Sequence, residues 1–110
     1  MEKKDSLKVS LCITVFNEEK HIKRLLDSIA LQTRMPDEVI IVDGGSVDNT
    51  LSVISNFKFQ ISNKPIKLII KKGNRAVGRN EAIDQAKGTI IALTDAGCEL
   101  DDHWLEELIK

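Results

Sequence analysis

Four short apolar runs alternate with helical stripes along this chain, and that alternation limits its fold more than any other feature. Val9–Val15 is a continuous apolar run rich in β-branched residues, which is how a strand covered on both faces reads. Glu38–Val42, Ile66–Ile70 and Thr89–Leu93 repeat the pattern. Between them lie apolar residues at helical spacing: Ile22, Leu25, Leu26 and Ile29, then Val47, Leu51, Ile54 and Phe57. A third helix is predicted over 76–87, and a last stripe holds Trp104, Leu105, Leu108 and Ile109. Strands that alternate with helices in this way form a mostly parallel sheet with helices on both faces, an α/β, Rossmann-like architecture. Right-handed crossovers leave few topologies, and the expected strand order is 3-2-1-4. That order puts a switch point between the first and fourth strands, where ligands bind outside the carboxyl ends.

The connecting residues carry stop and start signals. Asn17 reads as the N-cap of the first helix, with Glu18 and Glu19 favoured by its dipole. Pro36 closes that unit. Gly44 and Gly45 mark a tight turn after the second strand, and Ser46 or Asp48 is placed to cap the second helix. Gly73 and Asn74 turn the chain again, Gly88 sits where a helix C′ glycine belongs, and Asp101 or Asp102 would cap the last helix.

The chain has 110 residues, enough for one small domain, and 42% apolar with 30% charged residues supports a core and argues against disorder. A net charge of -1 with scattered Lys and Arg excludes a basic footprint for nucleic acid. Two cysteines make neither a disulfide framework nor a zinc site. Cys12, in an apolar run, reads as a small core residue. The charged start has no apolar stretch behind it long enough for a secretory signal, and no run approaches the ~18 apolar residues of a membrane span. The expectation is a cytoplasmic chain, associated with the inner face of a membrane only through regions absent here.

Polar residues gather where the strands end. The first run is followed by Thr14, Phe16, Asn17 and Glu18, the second by Asp43 to Ser46, and the third by Gly73, Asn74, Arg75 and Arg79. The fourth is followed by Thr94, Asp95, Gly97, Cys98 and Glu99. In a parallel sheet these meet along one edge, as a site for a polar ligand. Each residue also has a structural reading. Asn17 and Glu18 could serve a helix start, and Asp43 and Asp95 could form turns. Arg79 could be a solvated face residue, Cys98 a packed thiol and Trp104 a core anchor. Those readings weaken together because the features recur at the same end of successive strands. Gly73 to Asn80 has the glycine spacing of a P-loop, but Arg79 and Asn80 stand where Lys and Ser or Thr are needed, so phosphate and Mg²⁺ chemistry of that kind is unsupported. No G-x-G-x-x-G occurs either.

Four segments, in order and spacing, resemble family 2 glycosyltransferases. Thr14-Val15-Phe16-Asn17-Glu18-Glu19 resembles the opening motif, and Val42 to Thr50 resembles the second, an Asp followed by a Gly-Ser turn and a second Asp. Gly78-Arg79-Asn80-Glu81-Ala82-Ile83 resembles the Arg-Asn helix, and Thr94-Asp95-Ala96-Gly97 falls at the Asp-x-Asp position. Together they cover nearly the whole chain. The resemblance implies a glycosyltransferase-A type fold and a nucleotide-diphosphate sugar as donor, with a UDP-sugar favoured. It places Thr14, Glu18, Asp43 and Arg79 around the base and ribose. Phe16 would lie against the base or belong to the core, and Asp95 would sit near the ribose, the diphosphate and a divalent cation, Mg²⁺ or Mn²⁺.

This sequence departs from the family at two points. Gly97 replaces the second Asp of Asp-x-Asp, so metal use rests on Asp95 with the diphosphate or on Glu99 reaching in. The family also places its acceptor site and catalytic base after this motif, while this chain continues for only one more helix. The expectation is therefore a single domain over 1–110 that forms the donor-binding part of a truncated enzyme, inactive alone. That enzyme would act on a glycan or lipid-linked acceptor. The alternatives are a nucleotidyltransferase of similar α/β fold, which wants a Gly-rich basic loop after the first strand, or a non-catalytic interaction module.

Overall fold

The structure, a computed structural model, describes residues 7–60 and 65–110. Its elements run β1 (Val9–Val15), α1 (Ile22–Ala30), β2 (Glu38–Asp43), α2 (Thr50–Gln60), β3 (Ile66–Ile70), α3 (Arg75–Gln85), β4 (Ile90–Asp95) and α4 (Trp104–Leu108). All strand pairs are parallel and the order is β3-β2-β1-β4, the expected one among the few that right-handed crossovers allow.

The pleat divides the core in two. Val9, Leu11, Ile13 and Val15 of β1, with Val39, Ile41 and Ala92, face Ile22, Leu25, Leu26 and Ile29 of α1, Ile54 and Phe57 of α2, and Leu105 of α4. Cys12, Ile40 and Val42 point the other way and meet Ala82 of α3. Every β1 residue is thus buried except Thr14, which is half-buried at the site end. Helix α3 lies across β1 and β2, which leaves Ile91 and Leu93 on the same face of β4 partly exposed.

Several local expectations yield to longer-range partners. Helix α1 begins at Ile22 behind His21, so Asn17 is not its N-cap; Asn17 takes a left-handed backbone (φ 50°) and bonds to another loop. Asp48 caps the start of α2, its Oδ1 accepting from Thr50 N–H at 3.0 Å, while Val47 lies outside the helix and is exposed. Helix α3 ends at Gln85, and Gly88 does not have the left-handed backbone of a C′ glycine. A Cβ there would meet Ser10 Oγ at 2.6 Å and Lys8 O at 2.8 Å, so close packing against β1 requires the glycine. Leu108 is exposed, whereas Leu105 is buried and Trp104 and Ile109 pack against the core.

The segment after β4 is tied to α1, and to Gln32 just beyond it, by buried and half-buried polar bonds. Leu100 N–H donates to Ser28 Oγ at 3.1 Å, Gln32 Nε2 donates to Asp101 O at 2.6 Å, and Leu105 N–H donates to Gln32 Oε1 at 2.9 Å. These fix where the chain leaves the carboxyl edge of the sheet. No helix among the described residues is long and apolar enough to cross a membrane.

Candidate functional site

Strand register decides which residues meet at the carboxyl edge. Thr14 of β1 pairs with Asp95 of β4, and Val15 pairs with Asp43 of β2. The loops that follow wall a cavity of about 640 Å³, within the range of small-molecule sites. Thr14, Phe16 and Glu18 line it from β1 and its loop, and Gly44 from the turn after β2. Gly73, Asn74, Arg75 and Gly78 close it from the start of α3, and Asp95, Gly97 and Cys98 from the end of β4. A smaller adjoining hollow of about 160 Å³ shares Thr14 and Asp95 and is bordered by Arg79 and Leu93.

Small residues make this concavity possible. A Cβ on Gly78 would lie 3.0 Å from Thr14 Cγ2, so the glycine lets α3 sit directly on β1. Asn74 caps α3, its Oδ1 accepting from Val77 N–H at 3.0 Å, which fixes where the helix begins beside the cavity. Gly73 holds a φ of 150°, in the range where a side chain is rarely tolerated, and a Cβ would strike Val77 at 2.8 Å.

Four of the six candidate residues, Thr14, Phe16, Glu18 and Asp95, border the main cavity, and Arg79 borders the smaller hollow. Phe16 is 56% exposed, so it belongs to the site wall and not to the core. Asp43 stands apart. It is fully buried, lines neither space, and has its oxygens occupied by the turn behind it. Gly45 and Ser46 N–H groups donate to Oδ2 at 2.8 and 2.7 Å, and the Ser46 hydroxyl donates to Oδ1 at 2.6 Å. Arg75 and Cys98, gathered at the strand ends by the sequence but not placed among the donor contacts, line the cavity as well.

Glu18 and Asp95 are the two acids in the main cavity. Glu99 does not reach in. It is exposed, faces Arg24 at 3.7 Å and borders a different hollow. Among the described residues no three His, Cys, Asp or Glu side chains cluster as a metal cage. The single carboxylates that line the cavity suit a divalent ion shared with substrate phosphates better than one caged by the protein alone.

Residues 10–110 match the family model for Glycosyl transferase family 2. Glycosyltransferase AglE of Haloferax volcanii is 33% identical over 100 residues, covering 89% of this chain and 33% of that protein. Poly(ribitol-phosphate) beta-N-acetylglucosaminyltransferase TarS of Staphylococcus aureus is 31% identical over 106 residues, 94% of this chain and 18% of TarS. The crystal structure of S. aureus TarS 1-349 in complex with UDP-GlcNAc superposes with a TM-score of 0.81 at 28% identity, over 93% of this chain and 30% of that one. The mannosyltransferase PcManGT from Pyrobaculum calidifontis, in complex with GDP-Man and Mn²⁺, gives 0.76 at 27% identity, over 86% and 29%. The chain therefore spans a third or less of the length of these relatives.

Proposed function

This chain belongs to glycosyl transferase family 2 and has the glycosyltransferase-A fold, and from that premise we propose that it supplies the donor-binding part of an enzyme that moves a sugar from a nucleotide-diphosphate sugar to a glycan or lipid-linked acceptor. The observation that carries the reading is the cavity at the β1–β4 switch point, where Thr14, Phe16, Glu18 and Asp95 converge. TarS binds UDP and UDP-GlcNAc on the same fold, which favours a UDP-sugar here.

The residues divide the donor between them. Phe16 offers an exposed ring to the base, and Thr14 and Glu18 offer hydrogen-bonding groups to base and ribose. Arg79, in the adjoining hollow, donates to a base carbonyl or to the diphosphate. Asp43 contributes from behind the wall, by holding the Gly44–Ser46 turn. Asp95 takes the ribose and diphosphate end, and it is the residue that would hold Mn²⁺ or Mg²⁺. Such an ion, when bound, offsets the charge that develops on the departing diphosphate. The transfer is a direct displacement at the anomeric carbon with inversion, in which a base deprotonates the acceptor hydroxyl. No residue described here is assigned as that base, so the 110-residue chain is expected to bind nucleotide without transferring sugar.

Calorimetric titration with UDP, with and without Mn²⁺, tests this. Saturable binding strengthened by the metal supports a donor site with a working Asp95. Binding indifferent to metal keeps the donor site and removes the ion. An absence of binding to UDP, GDP and dTDP would overturn the reading.

A further inference from the structure

We propose that Asn17, Asp43, Ser46, Asp48 and Thr50 are positioning residues that lock the loop after β1, so that Phe16 and Glu18 face the cavity before any donor arrives; this rests on the donor-binding reading. The loop runs from Phe16 to His21 without helix or strand, and a loop of this kind is ordinarily among the most mobile parts of a domain. Here three successive N–H groups, those of Asn17, Glu18 and Glu19, meet side chains of the loop after β2 and of Thr50 at the start of α2. Asn17 N–H donates to Ser46 Oγ at 2.8 Å, Glu18 N–H to Thr50 Oγ1 at 2.8 Å, and Glu19 N–H to Asp48 Oδ2 at 3.3 Å. Asn17 returns the contact, its Oδ1 accepting from Val47 N–H at 2.8 Å.

The two hydroxyls work in the same way. A hydroxyl has one hydrogen to give and lone pairs with which to accept. Ser46 gives its hydrogen to buried Asp43 at 2.6 Å, and Thr50, itself fully buried, gives its hydrogen to Asp48 at 2.5 Å. Each carboxylate thereby turns a hydroxyl lone pair toward a loop N–H. The result is two parallel relays, Asp43–Ser46–Asn17 and Asp48–Thr50–Glu18. The left-handed backbone of Asn17, which asparagine tolerates well, lets consecutive residues of the first loop reach both. With the loop already ordered, binding does not have to supply the entropy of fixing Phe16 and Glu18.

Thr50→Val keeps the branched shape and removes one relay, and Thr50→Ser keeps the relay. Asn17→Gly keeps the left-handed backbone and removes the Oδ1 acceptor, and Asn17→Asp keeps the acceptor. Amide hydrogen exchange and UDP titration on the 110-residue chain read the outcome. In the wild type the Asn17 and Glu18 amides should be protected despite lying in a loop. Thr50→Val should lose protection at Glu18 and bind UDP about tenfold more weakly, the scale of freeing two or so side chains. Thr50→Ser and Asn17→Asp should restore both properties. Wild-type amides that exchange like a free peptide, or a Thr50→Val protein with wild-type UDP affinity, would overturn the clasp. If the wild type binds no nucleotide, the donor reading falls, and exchange decides the clasp by itself. Protection lost in Thr50→Val and regained in Thr50→Ser upholds it, and unprotected wild-type amides sink it.

Discussion

Substituting Asp43 separates a residue that touches ligand from one that builds the wall behind it. The side chain has no solvent exposure and receives three hydrogen bonds, from two N–H groups and one hydroxyl. Bonds to a charged acceptor contribute about 1.5–3 kcal/mol each, and the acceptor is lost from all three in Asp43→Ala. Gly45 and Ser46 are only half-buried, so water recovers part of that loss. Taking roughly half of the summed contribution puts the cost near 3 kcal/mol. In a domain of this size that lowers the melting midpoint by about 12–24 °C. Asp43→Asn keeps a carbonyl for the two N–H groups. Its NH₂ would face the Ser46 oxygen, which already accepts from Asn17 and would have to turn its hydrogen away. About 1 kcal/mol is expected there, so the midpoints should fall in the order wild type, Asn, Ala. Thermal denaturation followed by fluorescence of Trp104, the single tryptophan, reports the whole fold because that ring packs against the main core. An Asp43→Ala protein that melts with the wild type would refute the buried role. If it also failed to bind UDP, Asp43 would be a ligand contact instead.

Three further outcomes follow from the same geometry. Arg79 is exposed and borders the smaller hollow, so Arg79→Ala should weaken UDP binding in calorimetry and leave the melting midpoint unchanged. Cys98 is exposed at the cavity, while burial, aided by Glu38, pushes the Cys12 thiol up to about 11. A thiol reagent should therefore label Cys98 alone in the folded protein and Cys12 only on unfolding, and a bulky adduct should block UDP; mass spectrometry locates the label. At the amino ends of the strands, burial raises the Asp37 and Glu38 carboxyls, but their hydrogen bonds and cations outweigh it. Val9 N–H and Arg34 hold Asp37 down, and Ser10, Lys87 N–H and Lys67 hold Glu38 down. A depressed folded value gives stability that is present above the unfolded value and lost as pH falls through the folded one. The midpoint should hold from neutral pH to about 5 and then drop below the ordinary values of 3.8 and 4.5, less steeply in Asp37→Asn and Glu38→Gln proteins.

The strands and their order were legible because their physics is local and repetitive. β1 is buried along almost its whole length, so it reads as an unbroken apolar run, and the handedness of crossovers leaves a few orders, of which the expected 3-2-1-4 is the one found. The gathering of Thr14, Phe16, Glu18 and Asp95 follows from that order, since parallel strands deliver their carboxyl ends to one edge. Asn17 and Gly88 were misread for one shared reason. A polar or small residue next to a helix is assigned to that helix by local rules, yet both answer to a segment distant in sequence. Asn17 bonds to Val47, thirty residues away, and Gly88 makes room for Ser10. The carboxyl edge is where such exchanges concentrate, because it joins loops whose own N–H groups lie beyond the reach of any helix or strand ladder. Short Ser, Thr, Asn and Asp side chains are the groups able to satisfy those donors. Their abundance after β2, answered by Asn17 after β1, therefore marks two loops that hold each other, and the cavity wall takes its shape from that mutual support.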